Sequence, residues 1–379
     1  MHNAIICFCF LALLASHAVD AQSNGRLVFS SDRAGAPEIY VVDVDGGNLV
    51  QLTTDSGVQI APPATATSLA WSPDGRQLAF VSNRGGTLSI FIMNQDGTNL
   101  RLLTENPAEI GTPSWSPDGR RLAFTSAGPD NQEIYLIDAD GSNLINWTNH
   151  QANDHSPAWS PTGSQLAFVS NRSGNDEIYL MNVEGATQRY FDKNGNELTQ
   201  QRYQRLLPPF RGEIVGSDPE LTRLTDDPGR DSSPAWSPDG SRLAFASNRT
   251  GDDEIYTLNP ENIERLYYDK DGTLISEESY NTLLAVFKGE VVTMAGELLN
   301  ITNHPADDGS PAWSPEGDRL AFTSTRADQG DIFVVGADGS GTTNITDHPA
   351  GDGSPAWAPV NDITAITGTS WGRLKTRAP

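Results

Sequence analysis

The chain has 379 residues, with 25 basic against 49 acidic side chains and a net charge of −24 at neutral pH. That balance argues against nucleic acid or an anionic membrane surface as the partner, because both need a basic face. It permits a cationic partner, such as Ca2+ or a basic protein patch, and otherwise keeps the chain soluble.

Residues 4–15 form an apolar run of twelve, too short to span a bilayer as a helix. With "VDA" before Gln22 the segment 1–21 reads as a secretory signal cut after Ala21, although its start carries no Lys or Arg. No later segment is apolar enough to be transmembrane. Cys7 and Cys9 both lie inside the signal, so residues 22–379 are expected to hold no disulfide and no Cys-based metal site. The expected location is periplasmic or secreted.

From residue 26 a strand-like piece recurs: "RLVFSS" at 26, "QLAFVS" at 77, "RLAFTS" at 121, "QLAFVS" at 165, "RLAFAS" at 242 and "RLAFTS" at 319. A second phrase, "SPAWSPDG" at 233, has variants at 68, 112, 156, 310 and 354. Its tryptophans are Trp71, Trp115, Trp159, Trp236, Trp313 and Trp357, spaced by 44, 44, 77, 77 and 44 residues. Within one period, "PAW" is a short strand and "SPDG" a turn, with Pro fixing φ and Gly free to take positive φ. "RLAFAS" and "EIYTL" are the second and third strands, and a piece such as "LTRLT" at 221 is the fourth. Four strands in each period of about 40–50 residues, repeated round a ring, predict an all-β, six-bladed β-propeller over residues 22–367.

The first strand motif has no Trp phrase before it, and the last Trp phrase has no complete blade after it. "SPAW" at 354–357 is therefore expected to supply the inner strand of the blade that "RLVFSS" begins, pairing two otherwise open edges. The alternative, an incomplete seventh blade from "ITAITG", lacks a third and fourth strand.

The 77-residue spacings contain two insertions, 186–220 and 261–297, after the third strands of blades four and five. They are copies of one another, sharing Tyr-x-Asp-Lys-x-Gly, a later Tyr, Leu-Leu, Phe and Gly-Glu. Strand alternation puts them on the face of the "SPDG" turns, projecting side by side. "DKDGTLISEE" places Asp269, Asp271 and Glu278 at ligand positions of a calcium loop around Gly272. Tyr267 would stand at the first ligand position, and Gln201 replaces the terminal Glu in the other copy, so a hairpin turn explains both copies better. In the tail, 368–379, "GTSWG" matches a nucleophile pattern around Ser370, but no His follows it and no sheet or helix can form there.

"SPAWSPDGSRLAFASNRTGDDEIYTLN", with "ADGSNL…T" between blades, resembles the propeller repeat of TolB-like proteins. Relatives of prolyl oligopeptidase and tricorn-like proteases carry a similar repeat. The likeness spans about residues 25–367 apart from the insertions. It implies the propeller fold and leaves function open, since one fold carries many functions. TolB itself has a small α/β domain before its propeller, whereas this repeat starts just after the signal. That departure argues against a simple role in the Tol–Pal envelope system. Only twelve residues follow Thr367, against the hydrolase domain that the oligopeptidase relatives append.

Five residues before the Trp stand Asp154, Asp231, Asp308 and Asp352, with Ala66 and Ile110 in the first two copies. Nine before it stand His150, His304 and His348. The same face carries Arg33, Arg84, Arg172, Arg249 and Arg326. In one reading each Asp bonds within its loop or pairs with a neighbouring Arg, stapling blades together. In the other, the four carboxylates and the imidazoles form a ligand-binding channel mouth for a cation or a basic or hydroxyl-rich ligand. Metal hydrolysis by the three His would need them to meet across the channel.

The expected function is an exported, non-catalytic propeller that binds an envelope or extracellular protein, peptide or glycan. It is expected to act as a monomer without a cofactor, Ca2+ being the one candidate ion. The alternative is an envelope hydrolase or lyase using the carboxylates and histidines of the mouth.

Overall fold

A computed structural model describes residues 25–35, 37–53, 69–82, 87–104, 110–128, 131–183, 188–192, 197–199, 202, 211–216, 221–261, 264–269, 271, 273–282, 288–294, 298–327 and 329–359. Residues 1–21, expected as a signal, the tail with Ser370, and positions Ala66, Arg84, Gln201 and Gly272 lie outside these residues.

Blade 1 contains β1 (Arg26–Ser31), β2 (Glu38–Asp43) and β3 (Val50–Gln51). Blade 2 follows with β4 (Leu69–Trp71), β5 (Gln77–Ser82), β6 (Ser89–Asn94) and β7 (Arg101–Leu102). Blade 3 comprises β8 (Ile110–Trp115), β9 (Arg121–Ala127), β10 (Gln132–Asp138) and β11 (Ile145–Asn146). Blade 4 opens with β12 (Asp154–Trp159), β13 (Gln165–Ser170) and β14 (Glu177–Asn182). The first insertion then adds β15 (Gln188–Asp192), β16 (Glu197–Leu198) and β17 (Arg211–Gly216) before β18 (Leu221–Arg223) completes the blade. Blade 5 has β19 (Asp231–Trp236), β20 (Leu243–Ser247) and β21 (Glu254–Leu258). Its insertion holds β22 (Glu264–Asp269), β23 (Leu274–Ile275), helix α1 (Glu277–Thr282) and β24 (Lys288–Met294), followed by β25 (Leu299–Asn300). Blade 6 is β26 (Asp308–Trp313), β27 (Arg319–Ala327), β28 (Gln329–Gly336) and β29 (Thr343–Asn344), and the last strand is β30 (Asp352–Trp357).

The ring closes as the sequence predicts. β30 pairs antiparallel with β1, Leu27 opposite Trp357 and Val28 opposite Ala356, giving the sheet order β3-β2-β1-β30. The second strands are buried on both faces, and their period of two sends alternate residues to opposite neighbours. Leu78 and Phe80 of blade 2 pack with Val28 of blade 1, while Ala79 and Val81 pack with Leu122 and Phe124 of blade 3. Large residues thus turn toward the preceding blade and smaller ones toward the next, which fills each interface without overlap. Fully burying such a Leu or Phe contributes about 1.5–3 kcal/mol.

"SPAWSPDG" joins blades at two points. The indole Nε1 of Trp115, Trp236, Trp313 and Trp357 donates to the Ala70, Ala158, Ala235 and Ala312 carbonyls of the preceding blade, at 3.0–3.2 Å. The turn glycine has positive φ, +75° at Gly240, and a Cβ there would stand 3.8 Å from Pro161 in the preceding turn.

The insertions do not simply project from the turn face. β17 pairs in parallel with β11, and β24 pairs in parallel with β18. Each insertion therefore lies along the outer edge of the preceding blade, making seven-stranded sheets of blades 3 and 4. The cause is the row of unpaired backbone groups that every outer strand presents. In the second insertion β22 and β23 form a hairpin, with Tyr268 opposite Leu274, and Asp269 Oδ1 accepts from the Asp271 and Thr273 N–H groups.

Candidate functional site

The four repeated aspartates open the inner strands of their blades. Asp154, Asp231 and Asp308 stand opposite Ser170, Ser247 and Ser324, and Asp352 stands opposite Ser31. Two residues past each Ser an Arg turns back over the carboxylate. Arg172 reaches Asp154 at 2.9 Å, Arg249 reaches Asp231 at 2.9 Å, Arg326 reaches Asp308 at 2.7 Å and Arg33 reaches Asp352 at 2.7 Å. Each Arg Nε also donates to the Ser hydroxyl, at 2.8–2.9 Å. The guanidinium lies over an aromatic pair from strands two and three; Arg249 is 5.4 Å from the Phe245 centroid and 4.8 Å from that of Tyr256.

Asp154, Asp231 and Asp308 are 0% exposed and Asp352 is 3% exposed. Each pairs with the Arg of its own blade, so the staple acts inside a blade and not between blades. Burial raises the carboxyls of Asp231 and Asp308 above the ordinary range, against the pull of Arg249 and Arg326 and of nearby hydroxyls. The structure brings each aspartate to an arginine and does not gather the four into a shared cluster. Among the described residues no three His, Cys, Asp or Glu groups stand where they could hold a metal ion.

The histidines sit in the loops leading to the inner strands. His150 and His348 are exposed and His304 is half-buried. Their Nδ1 atoms accept from the N–H groups of Ala152, Ala350 and Ala306, at 3.0, 3.0 and 3.2 Å. When neutral, each ring therefore carries its proton on Nε2.

Five blades, these four and blade 3, carry a further buried acid that the sequence pattern did not single out. Glu38, Glu133, Glu177, Glu254 and Asp331 are buried near or at the start of the third strand. Glu133 accepts from the Thr148 hydroxyl at 2.6 Å and from the His150 N–H at 2.9 Å. Glu254 accepts from Thr302 at 2.5 Å and from the His304 N–H at 2.8 Å. These acids fasten the fourth strand and the histidine loop to the third strand. Burial pushes Glu177 up to about 7, helped by the neighbouring charge of Asp231. The legible signal was a charged residue recurring at the head of an otherwise apolar strand, in "EIY" and "DIF".

The channel itself is apolar. A cavity of about 330 Å³ runs between the inner strands and is walled by residues of the Pro-Ala-Trp phrases, including Trp71, Trp159 and Trp236.

The family model described as the TolB beta propeller domain matches residues 20–109 and 70–205. A protein TolB homolog of Chlorobaculum tepidum is 38% identical over 69 residues, 18% of this chain and 14% of that protein. An uncharacterized peptidase of Bacillus subtilis is 32% identical over 120 residues, 30% of this chain and 18% of that protein. These matches thus span less than a fifth of either relative's own length. The crystal structure of TolB from Acinetobacter baumannii superposes with a TM-score of 0.61 at 20% identity, covering 88% of this chain and 67% of that one. A putative TolB from Agrobacterium tumefaciens gives 0.51 at 19% identity, covering 89% and 99%. The chain is thus a TolB-like β-propeller, matched to that family model over residues 20–205 and alike in fold to the solved TolB structures.

Proposed function

We propose that the chain is an exported, non-catalytic TolB-like propeller that binds a protein, peptide or glycan in the cell envelope or outside the cell. The observation that carries this reading is the fate of the repeated carboxylates. The groups that an enzyme of the channel mouth would need are buried and bonded to Arg, Ser and Thr of their own blade. What remains for recognition is the loop face with His150, His304 and His348, together with the insertions. The apolar run at 4–15 supports export, and the resemblance to TolB supports an envelope location.

A photo-crosslinking residue at His348 on the loop face, compared with one at Asp239 on the turn face, tests this. The expected result is a discrete crosslink from position 348 that excess unlabelled chain removes, and none from position 239. Peptide or oligosaccharide cleavage by the purified chain, abolished in His304→Gln or His348→Gln at unchanged melting temperature, would instead establish the hydrolase or lyase.

A further inference from the structure

Blade 3 departs from the repeat at both ends of the staple. Ile110 stands where four other blades have the buried Asp, and Gly128 stands where they have the Arg. The aromatic pair beneath is kept: Phe124 and Tyr135 stack at 5.9 Å with 24° between planes, against 5.9 Å and 28° for Phe29 and Tyr40. A cavity of about 490 Å³ opens there between blades 2 and 3. Its wall includes Ile110, Phe124, Ser126 and Tyr135, the counterparts of the residues that seat the guanidinium elsewhere. It continues over Leu102 and Leu144, which are 45% and 40% exposed.

Removing both members of an ion pair leaves no orphaned charge, and it turns a polar seat into an apolar one. A cation entering would lose water with no buried aspartate to meet it, since the carboxylate on the wall, Asp140, stands exposed at the rim. The volume lies in the range of ligand pockets, about 300–1,000 Å³. Beside the cavity runs β7, the last strand of its sheet, whose outer edge pairs with no strand among the described residues. A strand edge next to an apolar pocket is the arrangement that takes an extended peptide, with the backbone on the edge and one side chain in the pocket.

We propose that the cavity between blades 2 and 3 is an anchor site for a bulky uncharged side chain, aromatic or branched aliphatic, of an extended polypeptide partner. None of the three histidines lines the cavity, so it can take a side chain whether or not the loop face binds. Titration of the full exported chain with Ac-Val-Phe-Val-NH2, Ac-Val-Arg-Val-NH2 and N-acetylphenylalaninamide tests it, with Ile110→Asp/Gly128→Arg to refill the seat. Among the described residues a Cβ at Gly128 meets only the Asn131 carbonyl oxygen, at 3.4 Å, which leaves room for an Arg there. Leu144→Lys charges the exposed rim and carries no core cost should the double variant fail to fold.

The Phe tripeptide is expected to bind about tenfold more tightly than the Arg tripeptide and the capped amino acid, and about tenfold more weakly to both variants. No binding at millimolar peptide, or equal binding to Leu144→Lys, overturns the site. Tighter binding of the Arg peptide overturns the uncharged occupant, and equal binding of the capped amino acid overturns the polypeptide.

Discussion

At the scale of single residues, the charged groups that recur round the ring hold blades in shape. Arg249 neutralises Asp231, covers Phe245 and Tyr256 and bonds Ser247. Arg249→Ala leaves a buried carboxylate and should cost about 3–5 kcal/mol in urea unfolding. Replacing both members, Asp231→Ile with Arg249→Leu, should cost less than that single change, because no buried charge is left alone, as in blade 3, which lacks both; a larger cost would refute the staple. Glu177 gives a pH signature. Its carboxyl is 1% exposed and raised from 4.5 to about 7, so the folded chain binds this proton more tightly than the unfolded chain. The stability it contributes is full below pH 4.5 and is lost as pH rises through about 7, on the order of 3 kcal/mol in all. Glu177→Gln should flatten the fall of melting temperature between pH 5 and 8 and raise it at pH 8. An unchanged slope would place the titration elsewhere. The aspartates and histidines were legible by counting back from each Trp. Their burial was not, because counting gives position and not which Arg folds back. The acids of the third strand went unread because a lone Glu beside an apolar run resembles a solvated strand end.

At the scale of elements, the insertions show where sequence period stops and edge chemistry takes over. Their boundaries and kinship were plain from the 77-residue spacings, and the "DKDG" hairpin from its turn residues. Their destination was not, because β11 and β18 are two- and three-residue strands whose attraction lies in the backbone. The two docking strands share a basic residue, Gly, Glu and paired β-branched residues, in "RGEIVG" and "KGEVVTM". Replacing residues 261–297 by the short "ADGSG" turn of blade 6 should leave a folded ring. The backbone amide of Arg223 should then lose protection in hydrogen exchange, because it turns toward β24 beside Val292, while Leu224 and, by alternation, Thr222 turn their N–H groups to β14 and should stay protected. Collapse of the whole chain would make the insertion part of the ring core.

At the scale of the whole molecule, six blades close a ring in which two copies lack the repeated Asp, with Ala66 and Ile110 in its place, and blade 3 lacks the Arg as well. The fold was readable because the same phrase sets Trp and Pro in register six times over, and the turn Gly with them five times. The cavity at blade 3 was not readable as a cavity, since Ile110 looks in sequence like one more repeat variant. Every assignment of channel, loop face and blade contact presupposes that β30 completes blade 1. The sequence has two cysteines, Cys7 and Cys9, so a chain of residues 22–379 is free of thiols for a direct test. Val28→Cys with Ala356→Cys puts two thiols on facing positions of β1 and β30. Mild oxidation of that variant should form an intramolecular disulfide, seen as a mobility shift that reductant reverses, with a raised melting temperature. Two thiols that stay free to alkylation in the folded chain would contradict the closed ring.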